Sequence, residues 1–334
     1  MRRVLSLNSY LNFYSQIDKQ PNFISFLMIL PRIIFSKNIF KSFNLIRRMY
    51  KVNRLQADPP FINSKTLPKI NVLIVIERKD FPLLQFTIKS LIANSLNPVS
   101  RIFIVTPNRQ VPECEKLISE IKLSQSYQIQ IIPENLIIDS KIRKKLRIEF
   151  IERYGWILQQ FITVNFILEQ KWSGETPILA LDGDTIVTRP TSWIDDNGNQ
   201  ILLQSIEYHR PYYELIKKLD SKLCKDKLSF VTHHMVYLPS RFRDIYSKLG
   251  IMNLDQLAQF VIDNYDKSQK SSVCVEFEIY AQYLFLNYKE KISVLKFANI
   301  SVSREDFLLK SEFKDDFWED YSKYKSISLH SYLD

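Results

Sequence analysis

The sequence predicts an α/β protein with a mostly parallel, Rossmann-like sheet flanked by helices, on the strength of three observations. INVLIVIE, residues 70–77, is an unbroken, largely β-branched apolar run, the pattern of a strand covered on both faces. Strand-like and helix-like stretches then alternate as far as residue 134, the signature of βα units. A further buried-strand pattern, PILALDGDTIV at 177–187, carries two carboxylates one residue apart, Asp182 and Asp184.

Along the chain, residues 1–56 come first and hold nine of the ten net positive charges, with Asp18 their only acid. FISFLMIL at 23–30 is followed by Pro31 and Arg32, so it is too short for a spanning helix of about 20 apolar residues. No small-residue cleavage site follows it. A basic, amphipathic helical extension lying on an anionic membrane surface fits this segment. A helix packed on the main domain with its basic side chains solvated is the alternative. ADPPFINSKTLPK, 57–69, reads as a linker, and residues 70–334 as one α/β domain.

Within that domain, FPLLQFTIKSLIANSL has helical spacing, RIFIVTP (101–107) is a second buried strand, VPECEKLISEIKL a second helix and YQIQIIPE a third strand. Residues 140–170 are helical in pattern, and 177–187 give the next strand. WIDDNGNQILL reads as a hairpin with an Asn-Gly turn, KLSFVTHHMVYLP as a strand, and 241–264 and 276–287 as helices. SISLHSYLD forms the C-terminal tail.

Composition removes several function classes. Three distant cysteines form no CxxC pair, which leaves no zinc or redox centre and fits a reduced, cytoplasmic setting. With five glycines and no GxxxxGK[ST] loop, a phosphate cradle of the P-loop kind is absent. The basic excess is interleaved with large apolar residues rather than forming a hydrophilic arm, so nucleic acid is not an expected partner.

Asp182 and Asp184 stand where ligands bind in open α/β sheets, beyond the carboxyl ends of strands. Two carboxylates around a glycine suit Mn²⁺ or Mg²⁺, hard cations that keep water and phosphate oxygens in their shells. A turn in which one aspartate caps backbone N–H groups is the plain alternative.

The order of motifs resembles a little-characterised bacterial family of glycosyltransferase-A-type (GT-A) proteins. The matching pieces are ERKDF at 77–81, YGWILQQF at 154–161, LALDGDTIVTRP at 179–190, SFVTHHMVY at 229–237 and VEFEIYAQYL at 275–284. The resemblance implies a GT-A catalytic domain, a nucleotide-sugar donor and a divalent metal on Asp182 and Asp184. It also implies donor contacts at Asp80, Gln159, Gln160, Asp182 and His234. Thr163 stands where the family's helix usually carries a basic residue.

Each of these residues has a second reading. Asp80 is either a donor contact or the N-cap before Pro82. One of Gln159 and Gln160 faces the cleft. His233 and His234 point to opposite faces of a strand, and His234 is taken as the one at the site. Glu276, and less readily Glu278, are candidates for the base that deprotonates an acceptor hydroxyl, or else stabilise a helix N-terminus. His330 resembles the histidine that some GT-A enzymes bring back to the metal; a disordered tail is the alternative.

The resulting expectation is a metal-dependent, hexosyltransferase-type glycosyltransferase. It would act on a glycan or lipid-linked acceptor in surface polysaccharide biosynthesis, peripheral on the inner face of the cell membrane. Nucleotidyl or phosphoryl transfer, and a non-catalytic binding protein on the same fold, are the alternatives.

Overall fold

The computed structural model describes residues 39–59, 66–123, 127–224, 228–269, 272–311, 321 and 323–330. Residues 1–38, which include the apolar run 23–30, lie outside the described residues.

The first element among the described residues is α1 (Ile39–Asn53). The sheet units follow as β1 (Ile70–Val75), α2 (Phe81–Asn94), β2 (Val99–Thr106), α3 (Val111–Glu120) and β3 (Gln128–Pro133). Next come α4 (Ser140–Glu149), α5 (Tyr154–Leu168), the short α6 (Gln170–Ser173), β4 (Ile178–Leu181), β5 (Thr185–Val187) and β6 (Gln200–Gln204). The last part comprises α7 (Arg210–Ile216), β7 (His234–Tyr237), α8 (Pro239–Lys248), α9 (Leu254–Asn264), α10 (Phe277–Asn287), β8 (Ile292–Lys296), β9 (Asn299–Ser303), α11 (Arg304–Ser311) and β10 (Ser326–His330).

The central sheet has the order β3-β2-β1-β4-β7. β1 pairs in parallel with β2 and β4, β2 pairs in parallel with β3, and β7 is antiparallel to β4. β1 is apolar except at the half-buried Asn71 because both its faces are covered. Val72 and Ile74 pack with Leu84, Ile88 and Leu91 of α2 on one side, while Leu73 joins Phe161 and Val164 of α5 on the other. Burying each such side chain contributes about 2 kcal/mol. α5 is apolar almost all round because it runs through this second layer, with every residue from Gln160 to Ile167 buried.

Two expected helices are broken. The stretch 140–170 splits at Phe150, whose φ of −119° and ψ of 47° leave the helix while its ring is fully buried. The stretch 241–264 splits at Gly250, which takes φ +79°; α9 then restarts with Asn253 accepting from the N–H of Gln256 at 3.0 Å. The expected strand at 227–239 is confined to His234–Tyr237. The hairpin near Asn197 and Gly198 is present, with Ile194 bridged antiparallel to Gln200. The C-terminal tail is not disordered over 326–330: β10 pairs antiparallel with β5 and parallel with β9, and a third small sheet joins β6 to β8.

α1 packs on the body through Met49 and Val52, which form a small core with Ile206 and Leu228. Arg48 Nε donates to the Ile206 carbonyl at 3.1 Å. Over 39–53 the packed-helix alternative therefore accounts for the apolar side chains at 49 and 52. The segment expected as a linker is tied down at both ends, with Asp58 accepting ion pairs from Arg189 at 3.3 Å and from the buried Lys325 at 3.1 Å, and the Pro68 carbonyl accepting from Asn97 Nδ2 at 3.2 Å. Among the described residues no helix is long and apolar enough to cross a membrane.

Candidate active site

A cavity of about 1030 Å³ opens at the carboxyl ends of β1, β2 and β4. Asp182 and Asp184 enter it from the turn between β4 and β5. This turn is held from both sides, by the Asp182 N–H donating to the His233 carbonyl and by the Leu329 N–H donating to the Asp184 carbonyl, each at 2.9 Å. Gly183 is required by packing: an added Cβ would lie 2.9 Å from Cδ1 of Ile76, the residue that follows β1.

Asp182 is oriented by two partners. Gln159 Nε2 donates to its Oδ1 at 2.9 Å, and Nδ1 of His233 lies 3.1 Å from its Oδ2. Asp184 has Nδ1 of His330 at 3.8 Å from its Oδ2. Desolvation, then the nearby charges of Asp182 and Asp80, push the Asp184 carboxyl well above the usual carboxylate range; Arg304 opposes this. Asp80 also lines the cavity. It makes no side-chain helix cap, because its carboxylate pairs with Arg304, whose Nη1 also donates to the Lys79 carbonyl at 2.8 Å. Sequence reasoning weighed His233 but placed His234 at the site, and it did not single out Arg304.

Four expected site residues lie elsewhere. His234 is buried in the core, where Trp193 Nε1 donates to its Nδ1 at 3.0 Å. Burial, with the neighbouring His233 and Lys325, lowers its pKa to about 3, so the ring is neutral. The adjacent His233 takes the cavity position instead. Gln160 turns from the cavity to pin the segment before α10, donating to the Val273 carbonyl at 3.1 Å and accepting from the Val275 N–H at 2.9 Å.

Glu278 is fully buried and saturated. It accepts from Ser229 Oγ at 2.7 Å, the Phe230 N–H at 3.0 Å and Gln282 Nε2 at 2.9 Å, and burial pushes its pKa up to about 7. Glu276 is buried behind the site and does not line the cavity. Desolvation, then the charge of Asp182, pushes it up to about 8, opposed by a hydrogen bond from Thr163. Its Oε2 has no hydrogen-bond partner among the described residues.

Among the described residues, no three His, Cys, Asp or Glu side chains form a ready metal cage. The donor chemistry nonetheless suits a hard divalent cation that takes one or two carboxylates and fills its shell with phosphate oxygens and water. The crowding that raises Asp184 is the kind that a cation relieves.

No protein-family model matches the sequence, and a search of curated proteins finds no match. Among solved structures, the mannosyltransferase Ktr4p from S. cerevisiae in complex with GDP is 10% identical, with a TM-score of 0.50 over 88% of this chain and 85% of its own. Apo mouse xyloside xylosyltransferase 1 is 10% identical, with a TM-score of 0.46 over 80% and 99% of the two chains. An active-site mutant of LgtC is 11% identical, with a TM-score of 0.46 over 78% and 87%. At such identities the likeness is one of fold. The chain has a mixed α/β architecture of the GT-A type, its mostly parallel central sheet flanked by helices.

Proposed function

We propose that the protein is a metal-dependent glycosyltransferase that moves a sugar from a nucleotide-sugar donor to a glycan or lipid-linked acceptor. One observation carries this reading: Asp182, Asp184, His233, His330, Gln159 and Asp80 line a single cavity at the strand ends where open α/β sheets bind ligands. Asp182, Asp184 and His330 would hold Mn²⁺ or Mg²⁺. When bound, the cation supplies charge neutralisation for a leaving nucleoside diphosphate.

The chain's own residues do the positioning. Gln159 and His233 hold both oxygens of Asp182 in fixed directions, and Asp80 holds Arg304 at the cavity edge. In the transfer, the bond from the sugar's anomeric carbon to the diphosphate breaks and a bond to the acceptor oxygen forms. The acceptor's hydroxyl proton goes to a base. Glu276 and Glu278 are not assigned that role, since both sit in the core. We further propose that residues 1–56, through the basic and apolar sequence around 23–30, bring the reaction to a membrane surface in a polysaccharide pathway.

The reading is tested by incubating the full chain with a panel of nucleotide sugars and Mn²⁺ and measuring thermal stabilisation. At least one donor is expected to raise the midpoint in a metal-dependent way. Stabilisation by none of them, or stabilisation unchanged in Asp182→Ala and Asp184→Ala, would sink it.

A further inference from the structure

The cavity has a second wall that shares no residue with the carboxylate cluster. α1, the start of α5 with the residue before it, and the chain from the end of β6 into α7 bring Arg48, Arg153 and Arg210 to it with Trp156, Tyr208 and Tyr212. The Arg153 guanidinium lies 3.8 Å from the centre of the Trp156 ring and that of Arg48 5.1 Å from the centre of Tyr208. The Trp156 and Tyr212 rings stack at 5.9 Å with an angle of 28°.

Electrostatics leave this wall short of acids. Arg48 is half-buried and makes no ion pair with a carboxylate among the described residues, and burial lowers its pKa from the usual guanidinium range. Arg210 has only a 3.8 Å contact with Glu214, and Glu207 is the one acid that this group of elements adds to the cavity lining. His209 edges the same wall with its ring centre 4.4 Å from that of Tyr212. Its buried Nε2 has no hydrogen-bond partner among the described residues.

A flat aromatic pair accepts the apolar face of a pyranose ring, and a guanidinium fork matches the paired oxygens of a phosphate or carboxylate. We propose that this wall is the acceptor subsite and takes a saccharide bearing a phosphate or a carboxylate; the acceptor role rests on the glycosyltransferase reading above. Trp156, half-buried and backed by the buried Tyr212, supplies the aromatic surface for the ring, and Arg153 and Arg210 hold the anion. Gln159, one helical turn after Trp156 on α5, joins this wall to the carboxylates.

The test titrates the full chain calorimetrically with glucose 6-phosphate, glucuronate and glucose, and separately with GDP or UDP plus Mn²⁺. At least one anionic sugar is expected to bind about tenfold or more tightly than glucose, and the stronger of the two identifies the charged group. Arg153→Gln and Arg210→Gln should each erase most of that advantage while leaving nucleoside diphosphate affinity within about twofold. Arg48 anchors α1, so these two variants test the wall without loosening that helix. Equal affinity for all three sugars would overturn the proposal. So would a parallel loss of nucleoside diphosphate affinity in both variants, which would assign the wall to the donor. Anionic-sugar binding that needs Arg153, in a protein that binds no nucleoside diphosphate with Mn²⁺, would keep the saccharide site and remove the glycosyltransferase reading.

Discussion

At the scale of single residues, the turn that carries Asp182 and Asp184 is defined by what lies behind it. Gly183 faces Ile76 closely enough that Gly183→Ala should lower stability by about 1–3 kcal/mol through overpacking. Adding Ile76→Val should restore part of the loss in a denaturant titration, whereas no recovery would contradict the packing account. Glu276 provides a pH test. Its folded pKa of about 8 exceeds its ordinary value of 4.5, so the folded chain keeps a proton that the unfolded chain releases. Its contribution to stability is therefore unaffected below about pH 4.5, falls as pH rises to about 8, and is level beyond. Glu276→Gln should flatten that fall, a relative gain of the order of 5 kcal/mol at high pH; parallel stability curves for the two proteins would refute it.

Glu278, with its donors on every side, should respond differently. Glu278→Ala strands Ser229, the Phe230 N–H and Gln282 and is expected to cost about 3 kcal/mol at neutral pH. The histidine pair shows how far a sequence reaches at this scale. Alternation says that only one of His233 and His234 faces the site, but the phase of β7 is set by pairing His234 with Leu181 of β4. A contact across half a hundred residues leaves no local trace.

At the scale of elements, α1 and the chain after it are part of the body over their described residues. Lys325 is buried and depends on Asp58, itself about half exposed, so Asp58→Asn should cost about 1–2 kcal/mol, less than a fully buried pair would. An unchanged midpoint would show that solvent already satisfies Lys325. β10 matters to the site as well as the fold, since it links β5 to β9 and ends in His330. The parallel βα units were legible because each strand carries a largely apolar or alternating pattern and each helix is periodic. β8, β9 and β10 were not, because such short strands, half-buried in β8 and β9 and serine-rich in β10, gain their identity from partners distant in sequence. The break at 250 was marked locally, by Gly250 and Asn253, yet a long helical pattern outweighed it, and the break at Phe150 carries no such mark.

For the whole molecule, the positions of the two carboxylates and of Gln159 were legible because a buried strand and a buried helix carry them. The second wall was not, because Arg48 meets Tyr208 only once α1 docks on the segment that follows β6. One cavity with an acidic and a cationic-aromatic wall suits a reaction that brings a diphosphate-linked sugar and a second saccharide together. The most direct measurement of this account is a calorimetric titration of Mn²⁺ into the protein with saturating GDP or UDP. The account predicts one Mn²⁺ per chain, bound far more weakly without the nucleotide and lost in Asp182→Asn and Asp184→Asn, with His330→Ala weakened by about tenfold. Mn²⁺ binding that ignores both the nucleotide and the two aspartates would contradict it.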